Sequence, residues 1–401
     1  MSEFPIPLPG ATAETLMWAR PEEVEHQAMQ QLRNISTVPW VYGIRVMPDV
    51  HLGKGATVGS VIAMRQAVSP AAVGVDIGCG VVATRTNLRL EDVERLPALR
   101  AAVENLIPVG HLGHARTVNM RALGLDKGWA PFWAGFKNLH PDARALEGKA
   151  ASQMGTLGGG NHFLELCSDD DGYLWLTLHS GSRNIGKSLA ERHIDIARGM
   201  SHNSDLVDRD LSVFLAGTPE MTAYRHDLMW AQDYALRSRG VMMALFKRAL
   251  VAHYPNKTIA FDGDINVHHN YVSEETIAGE EMLVTRKGAI RAGLGDLALI
   301  PGSMGTGSFV VRGLGNDASF QSASHGAGRR LSRSAAKREF MGDDDGAAQI
   351  ALQLGDIESR RDAGIVDELP NSYKNIDDVI ANQSDLVEVV QRLRTLLCVK
   401  G

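Results

Sequence analysis

The chain has 401 residues, a formal net charge of -6 and a hydrophobic content of 44%. Its length allows one large domain or two, and this composition is ordinary for a globular protein. The acidic balance is not that of a generic nucleic-acid-binding protein, so an RNA partner would have to meet a local basic surface. The chain contains three cysteines, which are too few for a disulfide framework. They favour a reducing compartment, and we expect a cytoplasmic protein.

The sequence contains no recognisable membrane or targeting segment. Residues 1–11 lack a basic region followed by an apolar core, and no run of ~18 apolar residues occurs. No linker-like tract divides the chain, so residues 1–401 are predicted to form one domain.

Strand-like and helical patterns alternate along the chain. The predicted strands include residues 58–64, 72–75, 81–86 and 174–178. The predicted helices are residues 90–106, most of 187–253, where Pro219 opens a long stretch, and 376–393. Together these patterns predict an α+β protein in which helices flank a mixed, largely buried β-sheet core.

Residues 322–329, which read Ser-Ala-Ser-His-Gly-Ala-Gly-Arg, place one imidazole among very small side chains. The bare amide groups after His325 suit phosphate oxygens, and Arg329 adds a planar cation for the same oxygens. His325 is therefore a candidate nucleophile within a phosphate site. A Gly-rich turn with a solvated His and Arg explains the octapeptide equally well, so other segments have to decide between the two.

A mixed set of metal-ligand types occurs in similar Gly-rich surroundings. Asp76 and Cys79 are three residues apart and flanked by glycines, while His162, His179 and His269 each adjoin Asn or Ser. Carboxylate, thiol and imidazole together suit Mn, Zn or Fe better than Ca or Mg. For Cys79 alone, a buried free cysteine beside a turn is the ordinary alternative. The spacing matches no zinc finger, so such a site would have to be assembled by the whole fold.

A further Gly-rich segment has the composition of a nucleotide contact. Residues 302–308 read Gly-Ser-Met-Gly-Thr-Gly-Ser and offer hydroxyl and amide groups. They lack the Lys-Ser/Thr ending of a Walker loop, so a P-loop NTPase is a poor fit.

In this order, the segments resemble those of the RtcB family of RNA-splicing ligases. The resemblance rests on Pro48-Asp49-Val50-His51-Leu52-Gly53, Gly74-Val75-Asp76-Ile77-Gly78-Cys79-Gly80, Gly160-Asn161-His162-Phe163-Leu164-Glu165, His179-Ser180-Gly181-Ser182-Arg183, His269-Asn270, Pro301-Gly302-Ser303-Met304-Gly305, Ser324-His325-Gly326-Ala327-Gly328-Arg329 and Lys400-Gly401. These motifs extend from about residue 40 to the end of the chain. The resemblance implies an RtcB-like fold and a GTP-dependent ligase that uses Mn²⁺. Such an enzyme joins RNA 2′,3′-cyclic phosphate or 3′-phosphate ends to 5′-hydroxyl ends, in tRNA splicing or RNA repair, through a covalent histidine–GMP intermediate and an RNA-3′-pp-G end.

Residue by residue, the resemblance implies a role for each motif. His325 would be the nucleophile, and Asp49 would lie near the RNA end. Two Mn²⁺ ions would be held by Asp76, Cys79, His162, His179 and His269. The guanylate pocket would be lined by Asn161, Glu165, Ser303, Ser308, Ala327, Gly328, Tyr373 and Lys400. His51 and His268 match no ligand position, and the need for a helper protein stays open.

Two other classes of protein compete with this interpretation. A metal-dependent phosphohydrolase acting on RNA ends would explain the metal ligands without a covalent nucleotide, but it leaves residues 302–308 and Lys400 without a function. A non-catalytic RNA-binding protein would be expected to be basic and rich in exposed aromatics, unlike this chain, with 6% aromatic residues and a net charge of -6.

Overall fold

Two large β-sheets form the centre of the protein, which a computed structural model describes over residues 3–401. Met1 and Ser2 lie outside the described residues. The strands are β1 Ile6–Pro7, β2 Glu14–Met17, β3 Val41–His51, β4 Val58–Met64, β5 Ala67–Val68, β6 Gly80–Arg89, β7 Phe163–Asp169, β8 Tyr173–Ser180, β9 Phe214–Leu215, β10 Ile265–His268, β11 Asn270–Ile277, β12 Glu280–Lys287, β13 Ala289–Arg291, β14 Leu297–Pro301, β15 Ser308–Gly313, β16 Ser322–Ser324 and β17 Val387–Lys400.

The first sheet has six strands in the order β1-β2-β3-β4-β12-β11, and the second has seven in the order β10-β6-β8-β7-β17-β15-β14. Neighbours in the second sheet are antiparallel, whereas β2 and β3 in the first are parallel. The pairs β13–β16 and β5–β9 form small separate ribbons. The first sheet is therefore mixed, as predicted, whereas the second is antiparallel throughout.

The helices surround these sheets and are joined by short 3-10 turns. They are α1 His26–Ser36, α2 Pro70–Val73, α3 Leu96–Leu106, α4 Trp129–Ala134, α5 Glu147–Gln153, α6 Arg183–Gly199, α7 Pro219–His253, α8 Arg333–Phe340, α9 Ala347–Leu354 and α10 Ile376–Ala381. Helix α7 begins as the sequence predicts, because Pro219 occupies its first turn and the Thr218 hydroxyl accepts the Met221 amide hydrogen. None of the helices within residues 3–401 combines the length and apolar character that crossing a membrane would require.

Buried apolar side chains join the two sheets and the helices into one body. Val61 and Val284 of the first sheet share a cluster with Ile300 and Val311 of the second, and all four are fully buried. A larger cluster packs α3, α6 and α7 against β6, β7 and β8. Strand β6 has apolar residues in succession because both of its faces are covered. The largely buried sheet core and the α+β class are thus confirmed.

Two secondary-structure predictions are wrong. Residues 72–75 are not a strand, because Pro70 starts the short helix α2 there. Residues 376–393 are not one helix, because α10 ends at Ala381 and residues 387–400 form β17. The apolar pattern of this segment is compatible with both the helical and the strand periodicity. It forms a strand because it pairs with β7 and β15.

Candidate active site

The predicted metal ligands lie at one end of four neighbouring strands of the second sheet. Cys79 directly precedes β6, and His162 directly precedes β7. His179 is the last residue but one of β8, and His269 follows β10. Since the strands pair antiparallel in the order β10-β6-β8-β7, the starts of β6 and β7 adjoin the ends of β8 and β10. Segments far apart in sequence therefore deliver their side chains to one place.

The side chains of these residues converge. Cys79 Sγ lies 3.2 Å from His179 Nε2 and 3.5 Å from His162 Nε2. His179 Nε2 lies 2.8 Å from His269 Nε2. Asp76 Oδ2 lies 3.1 Å from His162 Nε2. The structure thus brings all five predicted ligands together, and the buried group of Cys79, His162 and His179 has the geometry to bind a metal.

The protonation of the cluster also suits a cation. His162 Nδ1 lies 2.9 Å from the Leu157 carbonyl oxygen, and His269 Nδ1 lies 3.3 Å from Asn270 Oδ1. Because both partners are acceptors, each Nδ1 carries a proton, which leaves Nε2 as the nitrogen that faces the other predicted ligands and could bind a metal. Burial lowers the pKa of His179 and His269 well below the ordinary value, which keeps these rings neutral.

The two acidic members of the cluster, Asp76 and Cys79, have pKa values shifted in opposite directions. Burial acts to raise the pKa of Asp76, but the hydrogen bond and the charge of His162, together with a hydrogen bond from Cys79, outweigh burial and lower the pKa to about 2. Burial raises the pKa of the Cys79 thiol well above its ordinary value, and the charge of Asp76 adds to this effect. A cation bound to sulfur would displace that proton. The donor set of carboxylate, thiol and imidazole therefore fits a borderline transition metal.

His325 lies beside this cluster and is held by Asp49. It follows β16, and its ring centroid is 4.7 Å from that of His269. Its Nδ1 is 2.6 Å from Asp49 Oδ2, and its backbone amide donates to the same oxygen at 3.1 Å. Asp49 is fully buried. With Nδ1 engaged as a donor to the carboxylate, Nε2 is left as the nitrogen with a free lone pair.

One cavity of about 310 Å³ joins His325 to the predicted nucleotide contacts. It reaches Asp76, Cys79, His179 and His269 on the metal side. All the predicted guanylate contacts line it: Asn161, Glu165, Ser303, Ser308, Ala327, Gly328, Tyr373 and Lys400. The structure thus collects these residues around one space, and their individual roles stay predictions.

The chain terminus reaches the cavity because β17 runs through the middle of the second sheet. Lys400 pairs with Phe163 at the start of β7, so its side chain arrives at the same sheet end as the metal ligands. Glu165 pairs with Cys398 two positions further along. Burial raises the pKa of Glu165 to about 7, although the nearby charge of Lys400 acts against this.

Glu368 was not identified from the sequence, and it organises one wall of the cavity. Its carboxylate is 3% exposed and accepts a hydrogen bond from the Tyr373 hydroxyl. It also lies 3.1 Å from both Arg329 Nη1 and Lys400 Nζ, and 3.4 Å from Arg333 Nη2. Burial alone would raise the pKa of Glu368, but these cations, first Lys400, lower it to about 2. Glu368 ends a 3-10 turn in a sequence without any recognisable motif, so no local signal could have revealed it.

The contact between Asp49 and His325 was not predicted from the sequence either. The only local signal for Asp49 was its place in the motif of residues 48–53.

The two histidines that match no ligand position, His51 and His268, both contact backbone carbonyl groups. His51 lines the cavity wall, and its Nδ1 lies 2.9 Å from the Asp49 carbonyl oxygen. His268 Nδ1 instead faces the Gly78 carbonyl oxygen, at 2.9 Å. The ring of His268 therefore contacts the backbone that precedes Cys79.

We expect Glu165→Gln to stabilise the unliganded protein above pH 7 and to have little effect near pH 4. Below pH 4.5 the carboxyl is neutral in both the folded and the unfolded chain. As the pH rises from 4.5 to about 7, the unfolded carboxyl ionises while the buried one stays protonated, so the folded state loses stability across this window. An amide does not ionise, and the gain at pH 8 should be on the order of 3 kcal/mol.

Urea unfolding at pH 4.5 and pH 8 measures this effect as the difference in free energy of unfolding between variant and wild type. Glu339→Gln, which neutralises a half-exposed carboxylate paired with Arg330 at 3.5 Å, is the control and should show little change at either pH. An equal effect of Glu165→Gln at both pH values would show that the carboxyl is ionised in the folded protein.

Comparisons with known proteins agree with this arrangement. The model of the family described as tRNA-splicing ligase RtcB matches residues 31–401. The chain is 44% identical over 410 residues to the RNA-splicing ligase RtcB of Escherichia coli K12, which covers 97% of this chain and 98% of that protein. It is 32% identical to the RNA-splicing ligase RtcB of Mycobacterium tuberculosis, over 92% of this chain and all of that protein. It is 29% identical to the tRNA-splicing ligase RtcB of Aeropyrum pernix, over 94% of this chain and 92% of that protein.

The matched region contains the whole cavity, whose lining residues run from His51 to Lys400. Matches of this length and identity cannot come from a single shared motif. The chain therefore belongs to the RtcB family of RNA-splicing ligases.

Proposed function

We propose that this protein is a GTP-dependent RNA ligase that joins 2′,3′-cyclic phosphate or 3′-phosphate ends to 5′-hydroxyl ends through a covalent His325–GMP intermediate. The observation that carries the proposal is the environment of the His325 ring. One ring nitrogen is bound to the buried carboxylate of Asp49, and the ring lies beside the metal cluster in the cavity that the predicted nucleotide contacts line. This is the arrangement of a nucleophile oriented by a third group.

His325 would attack the α-phosphorus of GTP through Nε2, and pyrophosphate would leave as the nitrogen–phosphorus bond forms. The ring becomes positively charged in this step, and Asp49 stabilises that charge through Nδ1–H. A 2′,3′-cyclic end would first be hydrolysed by water to a 3′-phosphate and a free 2′-hydroxyl. An oxygen of the RNA 3′-phosphate would then attack the α-phosphorus of the bound GMP and release His325. Finally, the RNA 5′-hydroxyl would attack the 3′-phosphate phosphorus and displace GMP, which closes the strand.

Two Mn²⁺ ions, held by Asp76, Cys79, His162, His179 and His269, would supply charge neutralisation for the phosphates. The convergence of these side chains, whose Nε2 and Sγ atoms lie within 3.5 Å of one another in neighbouring pairs, supports this assignment. Most of the remaining catalysis would come from positioning, since each step is a substitution at a phosphorus centre, in which a nucleophile displaces a leaving group.

The hydrogen-bonding groups of Glu165 and Lys400, which line the cavity, complement guanine better than adenine. The carboxyl of Glu165 can accept hydrogen bonds from guanine N1–H and N2–H, and the ammonium of Lys400 can donate to O6. Adenine offers the reverse pattern at these positions. This complementarity supports GTP as the cosubstrate, with Asn161, Ser303, Ser308, Ala327, Gly328 and Tyr373 as its further contacts.

The proposed partners are RNA ends and GTP, with tRNA splicing or RNA repair as the process. We also propose that residues 1–401 act as one domain, which the buried contacts between the two sheets support. A cytoplasmic location is supported by three free and buried cysteines, which suit a reducing compartment.

Incubation with α-labelled GTP and Mn²⁺, followed by a denaturing gel, tests the proposal. We expect a labelled protein whose label is lost in acid and kept in base, as for a phosphoramidate on histidine. Addition of RNA with a 3′-phosphate should remove the label, and an RNA with a 5′-hydroxyl should then be joined. Release of phosphate from RNA ends without any labelled protein would contradict the ligase and favour a metal-dependent phosphohydrolase.

A further inference from the structure

A buried guanidinium lies directly behind the metal cluster. Arg239 is in the middle of α7 and is fully buried. Burial lowers its pKa to about 10, so it stays charged at neutral pH. Burying a cation is costly unless its donors are satisfied. The partners of Arg239 therefore indicate why the fold keeps it.

The guanidinium of Arg239 contacts the immediate neighbours of three predicted ligands. Nη1 donates to the Gly78 carbonyl at 2.7 Å and to the Ser180 carbonyl at 3.2 Å. Nη2 lies 3.2 Å from His268 Nδ1, which in turn lies 2.9 Å from the same Gly78 carbonyl oxygen. Gly78 precedes Cys79, Ser180 follows His179, and His268 precedes His269. The remaining donor, Nε, contacts Asn266 Oδ1 at 2.8 Å, on β10.

The position of the guanidinium follows from the end of the sheet. The β6–β8 and β6–β10 ladders both end at Gly80, which pairs with Ser180 and with His268. At the end of a ladder carbonyl groups need other donors, and Arg239 donates to the carbonyl groups of Ser180, in the last pair, and of Gly78, beyond it. A planar fork with fixed donor directions can hold several acceptors at set distances from one another.

The surrounding backbone is built to let α7 approach this closely. A Cβ added to Gly80 would lie 2.9 Å from Arg239 Cζ. A Cβ added to Gly78 would lie 2.8 Å from Ala235 Cβ and 2.9 Å from Gln232 Cα, both on α7. The loop that carries Cys79 therefore packs directly against the helix that carries Arg239.

We propose that Arg239 is a positioning residue for the metal site, which ties the ends of β6, β8 and β10 together so that Cys79, His179 and His269 converge on one cation. Arg239 touches neither the substrate cavity nor the reacting atoms. Its expected contribution is to metal affinity and to the geometry of the sulfur ligand. This inference rests on the metal assignment proposed above, but not on GTP or RNA as substrates.

Titration of the metal-free protein with Co²⁺ tests the proposal, because a cobalt–thiolate bond absorbs in the near ultraviolet and reports on Cys79. We expect Arg239→Lys to bind Co²⁺ at least about tenfold more weakly than wild type and with a weaker or shifted thiolate band. Lysine keeps the charge but cannot hold the Gly78, Ser180 and Asn266 oxygens together. Cys79→Ala gives the spectrum without the sulfur ligand.

Arg286→Lys is the matched control. Arg286 is also fully buried, but its guanidinium binds Glu275, Ser322 and the Phe320 carbonyl. The control should lose stability without losing Co²⁺ affinity, which separates positioning from a general effect of altering a buried arginine. Should Arg239→Lys not fold, Asn266→Ala removes one guanidinium contact and is expected to weaken Co²⁺ binding several-fold.

Wild-type affinity and an unchanged thiolate band in Arg239→Lys, or in Asn266→Ala where that variant is used, would overturn the proposal. Absence of Co²⁺ binding in the wild type would overturn it together with the metal assignment. A wild type that binds Co²⁺ normally but is not labelled by GTP would count against the proposed ligase only, and the role of Arg239 would stand.

Discussion

His325→Ala is expected to abolish covalent labelling of the protein by α-labelled GTP, with a loss of at least about 10⁴-fold in the rate of adduct formation. The other histidines near the phosphate path are directed elsewhere: His179 and His269 face each other across 2.8 Å in the metal cluster. His51 Nδ1 lies against the Asp49 carbonyl. An alanine at position 325 leaves no nitrogen to attack the phosphorus.

Metal binding separates loss of the nucleophile from loss of the fold. His325→Ala should bind Mn²⁺ like the wild type, because His325 is outside the group of predicted ligands. His253→Ala, which removes a half-exposed imidazole from the last turn of α7, should keep full labelling. Labelled protein in His325→Ala would refute the assignment of the nucleophile.

Asp49→Asn is expected to slow adduct formation by about 10²–10⁴-fold while leaving the KM for GTP nearly unchanged. Asp49 Oδ2 receives both the ring Nδ1–H and the backbone amide of His325. An asparagine can turn its amide toward the ring, which would move the ring proton to Nε2 and remove the attacking lone pair. It also cannot stabilise the charged ring that forms in the transfer.

The resemblance alone placed Asp49 near the RNA end, and kinetics can distinguish the two roles. If Asp49 orients His325, the variant is slow in labelling by GTP before any RNA is added. Normal labelling with defective joining of RNA ends would instead assign Asp49 to the RNA step. Thermal unfolding of the variant provides the control for folding, since Asp49 is fully buried.

The chemistry of the site could be read from sequence because each functional side chain lies in a short motif of its own. Glycine, asparagine and serine beside His162, His179 and His325 mark places where the backbone turns or approaches a ligand closely. The strand nature of residues 58–64 and the start of α7 at Pro219 likewise depend on local patterns. Residue types, the family and the α+β class were therefore available without coordinates.

Contacts between segments that are distant in sequence could not be predicted from local patterns. Asp49 and His325 are 276 positions apart, and nothing local marks them as partners. The same applies to Glu368, Arg239 and the strand β17. The role of each depends on the residues that pack against it, which are distant in sequence. The residues near the chain end have a pattern compatible with helix, and only pairing with β7 and β15 makes them a strand that brings Lys400 to the cavity. The sequence by itself determined which groups take part, whereas tertiary structure decided which atoms meet, since hydrogen bonding and burial act between neighbours in space.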